Sequence, residues 1–234
     1  MKYTNCQKCK NKGQIAVLDS NGDMALRECE CMRVRRLFGN LEHSGLQGVY
    51  SKYKLETFKV TEDWQNEMYT KAQAYIQSIL SGSYYWLYVG GQRGSGKSHI
   101  CCAVSGKLIA HGKIALYKLW QDIAAEWKAK TYKEDERDDM MYKLAGCELL
   151  YIDDFLKCRD KHNLDWHYDI AFHLLNARYN AKKPTIISSE LTISDLTKED
   201  SALSGRIVEM SCNGDYIISI KQDPKKDMRL KTSK

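Results

Sequence analysis

Residues 91–98 read Gly91-Gln92-Arg93-Gly94-Ser95-Gly96-Lys97-Ser98 and meet every fixed position of G-x-x-x-x-G-K-[ST]. Glycines at these places let a backbone curl tightly enough to aim successive N–H groups at one anion. On this spacing the loop cradles a nucleotide's phosphates, Lys97 reaches the β- and γ-phosphates, and the Ser98 hydroxyl ligates Mg²⁺. A second acidic element follows in Cys147-Glu-Leu-Leu-Tyr-Ile-Asp153-Asp154, an apolar run that ends on two carboxylates. Asp153 is expected to hold the magnesium ion through water, and Asp154 to orient or deprotonate an attacking water. Four cysteines form another candidate centre, Cys6-Gln-Lys-Cys9 and Cys29-Glu-Cys31. Thiolates are soft anionic ligands that complete a tetrahedron around zinc. The C-x-C pair is a tighter bite than C-x-x-C, and His43 could replace one thiolate. Unmetallated thiols are the alternative; a redox dithiol is disfavoured, because no thioredoxin-like pattern surrounds the first pair.

These groups need a scaffold. Tyr84 to Val89 is aromatic and β-branched, a buried strand that feeds the glycine loop, and a helix beginning near His99 would present its positive N-terminus to the same anion. Ahead of it, Trp64, Met68, Ala72, Tyr75, Ile76 and Ile79 recur at helical spacing over residues 62–80. Strands are expected at 113–119, 147–154, 184–190 and 216–220, with helices from about Gln121 and over 166–179. That alternation specifies a parallel sheet. Between the cysteine pairs, residues 14–27 read as two short strands around Asn21-Gly22, a hairpin that brings the thiols together. So small a module cannot bury enough core alone, so bound metal would supply folding energy. Met32 to Ser51, with Arg33, Arg35, Arg36, Gly39, Gly45 and Gly48, reads as a basic linker with one short helix. Lys225 to Lys234 reads as a solvated tail within reach of phosphates.

The chain has 234 residues, 43% of them hydrophobic, which suits one α/β domain plus a small accessory module. A formal charge of +6 permits nucleic-acid contact without demanding it. No apolar leader region opens the sequence and no apolar run approaches the ~20 residues that span a bilayer, so a cytoplasmic protein without membrane contact is expected. In that reducing setting nine cysteines do not imply disulfides. Cys101, Cys102, Cys147, Cys158 and Cys212 read as small core hydrophobes.

Taken over nearly its whole length, the chain resembles the helicase-loader branch of AAA+ ATPases, the DnaC and DnaI group with its phage-encoded and transposon-encoded (IstB-like) relatives. The resemblance rests on the four-cysteine module, Ser44-Gly-Leu46, Thr57-Phe58, the loop at 91–98, the Ile-Asp153-Asp154 strand, Lys183-Pro-Thr-Ile-Ile-Ser-Ser and Arg206-Ile-Val-Glu-Met. It implies an α/β three-layer parallel sheet spanning 61–234, and the short stretch after the strand at 216–220 leads to the expectation of a domain without a C-terminal lid. A zinc-binding, helicase-gripping module at 1–45 and a linker at 46–60 would precede it. It further implies a slow ATPase with ATP, Mg²⁺ and Zn²⁺ as cofactors, and a hexameric replicative helicase and single-stranded DNA as partners. Self-association would let Arg206 serve as an arginine finger in a neighbour's site. Ser189 or Glu190 takes the position that senses the γ-phosphate, where the family usually has asparagine. A carboxylate has no hydrogen to donate. Either Ser189 does so, or hydrolysis is weak and ATP acts chiefly as a conformational ligand. A transposase-partner ATPase and a weakly hydrolysing helicase adaptor are the alternatives; the former branch commonly lacks the cysteine module. Lys128, Lys130, Lys133 and Arg137 are the candidates for DNA contact.

Overall fold

The computed structural model describes residues 6–18, 22–46, 48, 52–130, 132–158 and 164–231. Asn21 and Ser51, and the side chains of Arg33 and Arg36, lie outside the described set.

Strands β3 (Trp86–Gly91), β4 (Ala115–Leu119), β5 (Leu149–Phe155), β6 (Thr185–Ser189) and β7 (Ile217–Ile220) form one sheet in the order β4-β5-β6-β3-β7. Every pairing is parallel. Parallel strands need crossover helices, and helices on both faces require both faces to be apolar. The sequence meets this by alternation. Leu87, Val89, Tyr151 and Ile186 enter one core with Tyr75, Ile79, Ile100 and Val104. Trp86, Tyr88, Leu150, Ile152 and Ile187 enter the other with Trp120, Leu174, Leu203 and Ile207. The result is the three-layer α/β arrangement expected from the sequence.

Helix α1 is Glu30–Ser44. Helix α2, Asp63–Leu80, buries Met68, Ala72, Tyr75, Ile76 and Ile79 on one stripe, as their spacing predicts. Helix α3, Lys97–Ala110, is apolar nearly all round and lies under the sheet. Helices α4 (Trp120–Ala129), α5 (Glu134–Gly146), α6 (Leu164–Asn180), α7 (Ile193–Glu199) and α8 (Ser201–Met210) complete the layers, and a short helix α9 covers Met228–Lys231. Among the described residues, no helix is long and apolar enough to cross a membrane.

Three expectations change. The segment read as a linker with one short helix is largely the 15-residue α1, closed by Gly45 in left-handed conformation (φ 76°) and packed on β4 and α3. Of the five cysteines read as core, Cys101 and Cys102 are buried, whereas Cys147, Cys158 and Cys212 are partly exposed. Of the segment read as a solvated tail, residues 225–231 fold back on the phosphate loop, and 232–234 lie outside the described residues. The Met228 N–H donates to the Gly94 carbonyl at 2.9 Å, the Asp223 N–H donates to Gln92 Oε1 at 3.0 Å, and Gln65 Nε2 lies 2.8 Å from Met228 Sδ.

At the N-terminal end, β1 (Gln14–Leu18) and β2 (Met24–Glu28) pair antiparallel from Gln14↔Glu28 to Leu18↔Met24, the hairpin expected between the cysteine pairs.

Candidate nucleotide-binding site and cysteine centre

Strand β3 runs into the phosphate loop without room for a side chain. A Cβ on Gly90 would lie 2.1 Å from the Leu191 carbonyl oxygen, and one on Gly91 (φ 109°) 2.0 Å from that of Ile220. The glycines therefore answer two demands, a left-handed turn and close backbone approach. Lys97, at the first turn of α3, is buried, and its ammonium donates to the Gly91 and Gln92 carbonyls at 2.8 and 2.7 Å. Burial pushes its pKa down, with Glu190 and Asp154 pulling the other way.

At the carboxyl end of β5 the ladder with β6 breaks between Ile152 and Phe155, and Asp154 and Leu156 both take left-handed backbone (φ 52° and 58°). Such an irregularity re-aims side chains at a strand end. Asp153 points at the loop: Ser98 Oγ donates to its Oδ1 at 2.9 Å, Ser188 Oγ donates to the same oxygen, and the Tyr117 hydroxyl donates to Oδ2 at 3.2 Å. Burial and then the Asp153 charge push the Tyr117 phenol up, so it stays a donor. Ser188 also accepts the Asp154 N–H at 3.2 Å, so it holds the Asp153 carboxylate and the Asp154 backbone together. A buried carboxylate beside a loop hydroxyl is a hard, oxygen-rich pair suited to a magnesium ion. Asp154 itself is ion-paired with Lys157 at 2.8 Å.

The two candidates for γ-phosphate contact divide. Ser189 is fully buried; its hydroxyl donates to the Phe155 carbonyl at 2.9 Å and accepts the Leu191 N–H at 3.1 Å, so it faces the backbone. Glu190 faces the cleft and takes Arg93 Nε at 2.7 Å and Lys157 Nζ at 3.0 Å. Arg206 does not line this cleft: its Nε donates to Asn176 Oδ1 at 3.0 Å and its guanidinium sits 4.5 Å over the Phe172 ring.

The cleft holds about 600 Å³. One wall is the phosphate loop with Asp154, Lys157 and Glu190; the other is residues 52–59, where Tyr53 and Phe58 pack on His99 with ring centroids 5.0 and 5.3 Å apart. His99 Nε2 lies 3.0 Å from the Lys54 carbonyl. An aromatic wall facing a phosphate loop suits a base at one end and phosphates at the other. Met228 and Arg229 close one side. The roles of Ser188, Tyr117 and Lys157, and the fold-back of residues 223–229, escaped the sequence reading. Only Lys157 carried a signal, as a cation three residues after an acidic strand end.

The four cysteine sulfurs all lie within 4.8 Å of one another. Cys6 and Cys29 Sγ are 3.7 Å apart, and Cys9 and Cys31 Sγ 3.4 Å. Tetrahedral Zn–S bonds of ~2.3 Å put ligand sulfurs about 3.8 Å apart, so the set fits zinc. Burial opposes ionisation of Cys9, but the Gly13 N–H at 3.4 Å and the neighbouring thiols outweigh it and lower its pKa to about 6. Loss of solvent and the hydrogen bonds of the neighbouring thiols push the partly exposed Cys31 up to about 12. His43 lies twelve residues along α1 from Cys31, roughly 18 Å at 1.5 Å per residue, and is not part of the group.

The DNA-contact candidates are mostly engaged by acidic residues of their own helices. Lys130 pairs with Glu126 and Lys133 with Glu136, both at 2.8 Å, and Arg137 sits 5.1 Å over the Trp127 ring, 3.7 Å from Glu134.

A parallel sheet with a phosphate loop after β3 and a magnesium-type carboxylate at the end of β5 defines a P-loop nucleotide-binding domain of the AAA+ class. The chain belongs to the bacterial DnaA ATPase domain family, whose profile matches residues 49–211, and within it is DnaC-like. YqaM of Bacillus subtilis (strain 168), an uncharacterized protein, is 31% identical over 210 residues, which cover 86% of this chain and 65% of YqaM. The chain thus spans just under two thirds of that relative. The phage-like element PBSX protein XkdC of the same strain is 28% identical over 236 residues, 92% of this chain and 82% of XkdC. The replicative helicase loader DnaC of Escherichia coli (strain K12) is 23% identical over 175 residues, 74% of this chain and 68% of that protein. Among solved structures, the DnaC helicase loader shares the fold at TM-score 0.54 and 19% identity, over 74% of this chain and 96% of that one. Replication initiator DnaA bound to AMPPCP and single-stranded DNA does so at 0.56 and 20%, over 74% of this chain and 50% of that one.

Proposed function

We propose that this protein is an ATP-regulated loader that delivers a hexameric replicative helicase to single-stranded DNA. The observation that carries the reading is the Ser98–Asp153 pair beside a complete phosphate loop in a DnaC-like chain. ATP supplies a terminal phosphate whose presence or absence the protein can read, and Mg²⁺ would be held by Ser98 and Asp153. Lys97 and the loop N–H groups orient the phosphates, and Asp154, once released from Lys157, would accept a proton from water. Arg206 would act on a neighbouring copy's nucleotide, since it does not line its own cleft.

In this reading Cys6, Cys9, Cys29 and Cys31 hold zinc, and the hairpin they brace grips the helicase. The hairpin carries Leu18, Met24 and Leu26 at 68, 73 and 72% exposure on one face, apolar surface suited to a protein partner. Cys9→Ser is expected to remove zinc from a starting content of about one ion per chain and to weaken helicase binding, while nucleotide affinity stays within about twofold. Elemental analysis checks the first part; undiminished zinc would take Cys9 out of the ligand set.

The deciding experiment is size-exclusion chromatography with light scattering on the protein and a replicative helicase, with ATP or ADP present. A complex whose stoichiometry depends on nucleotide supports the loader; none, despite nucleotide binding, overturns it. A weakly hydrolysing helicase adaptor is the second reading, favoured by the Lys157 salt bridge that occupies Asp154. Asp153→Asn is expected to bind ATP within about fivefold of wild type yet lose turnover by about 100-fold or more, measured as phosphate release. Turnover at the wild-type rate would remove Asp153 from the site.

A further inference from the structure

Lys157 belongs to no motif, yet the backbone takes unusual steps to place it. It follows two residues in left-handed conformation, Asp154 and Leu156, and its N–H donates to the Asp154 carbonyl at 3.0 Å, closing a tight turn at the end of β5. The turn brings its ammonium into the cleft that Lys97 and Ser98 also line. There it bridges two carboxylates from different strand ends, Asp154 Oδ2 at 2.8 Å and Glu190 Oε1 at 3.0 Å. The other Glu190 oxygen takes Arg93 of the phosphate loop at 2.7 Å. Burial pushes the Glu190 carboxyl up, but the hydrogen bonds from Arg93 and Lys157 outweigh that and hold it below the usual range. Glu190 is therefore a carboxylate facing a loop built for anions. Alone it would repel a terminal phosphate. Paired with Lys157 and Arg93 its charge is neutralised, and an ammonium is held beside the loop.

We infer that Lys157 and Glu190 act as one unit that recognises the terminal phosphate of a nucleoside triphosphate, Glu190 holding the Lys157 ammonium where it meets that phosphate. The inference rests on the nucleotide reading above and extends it to how triphosphate is told from diphosphate. ADP has no group at that place, so only the triphosphate feels the pair. Lys157 is thus a phosphate-contacting residue, and Glu190 a positioning residue acting through it.

Calorimetric titration of the full chain with Mg²⁺-AMPPCP and with Mg²⁺-ADP tests this, using wild type, Lys157→Met, Lys157→Arg, Glu190→Gln and the double variant Lys157→Met/Glu190→Gln. Thermal melting of each checks the fold. Lys157→Met leaves the Glu190 carboxylate bare. It is expected to weaken AMPPCP by about 10- to 100-fold, the range for a lost hydrogen bond between charged groups, with ADP changed by less than about threefold. Lys157→Arg keeps the charge and should recover most of the loss. Glu190→Gln removes the repulsion, so the Lys157→Met loss should shrink at least fivefold in that background, a coupling that a double-mutant cycle reads directly. Unchanged AMPPCP affinity in Lys157→Met, equal losses for both nucleotides, or a loss undiminished by Glu190→Gln would each overturn the pairing. Wild-type protein that binds neither nucleotide would instead overturn the nucleotide reading beneath it.

Discussion

Lys97→Ala is expected to weaken nucleotide binding by more than about 100-fold, with little change in thermal stability. The ammonium is buried against the phosphate loop and donates to the Gly91 and Gln92 carbonyls, beside the backbone that would meet a phosphate chain. A hydrogen bond to a charged group is worth about 1.5–3 kcal/mol, and a lysine that bridges two phosphates loses two of them, which converts to that factor or more. Folding loses less, because burial already disfavours the charged form and removing it lifts that cost. Titration with a fluorescent ATP analogue, alongside a melting curve, separates the two effects. Affinity within about fivefold of wild type would mean that the loop does not bind nucleotide as its sequence implies.

The second large effect concerns a residue far from any motif. Arg178→Met is expected to destabilise the protein by about 3–5 kcal/mol, because several buried acceptors lose their donor at once. Arg178 is fully buried on α6. Its Nε donates to Thr185 Oγ1 at 2.9 Å, and one terminal nitrogen donates to the carbonyls of Leu144, Ala145 and Cys147 at 2.8, 3.1 and 3.1 Å. The other terminal nitrogen donates to the Pro184 carbonyl. One guanidinium thus satisfies the carbonyl end of α5 and the entry to β6, carbonyls that a helix end cannot satisfy internally. Methionine fills similar space but leaves those oxygens orphaned, and lysine lacks the planar fork. Urea unfolding followed by tryptophan fluorescence measures the loss; a change below about 1 kcal/mol would show that water or backbone shifts replace the side chain.

How much of this could be read in the sequence depended on the range of the interactions. The buried strands announced themselves, since Trp86 to Val89 and Leu149 to Ile152 are apolar on both faces as a covered parallel sheet requires. The phosphate loop was legible because its function constrains adjacent residues. The cysteine group was legible as well, because the sequence around Asn21-Gly22 announces a hairpin between the two pairs. Ser188 was not, since its value lies in touching Asp153 on another strand, and a serine before Ser189 looks like its equal; only register decides which faces the cleft. Arg178 hid for the same reason, one charged residue on a helix whose partners sit in two other elements. The fold-back of 223–229 was missed because Lys225, Lys226 and Arg229 give it the composition of solvated chain, while its attachment is made by backbone N–H groups and by the absence of a side chain at Gly94.

That absence has a mechanical consequence. A Cβ at Gly94 would lie 1.9 Å from Asp227 Oδ1, so the loop and the returning segment touch backbone to side chain with no slack. Together with the Met228 N–H held by the Gly94 carbonyl, this makes a hinge-free joint. A larger residue at position 94 could be housed only by displacing Asp227, so the loop's shape and the placement of the returning segment are fixed by one shared contact.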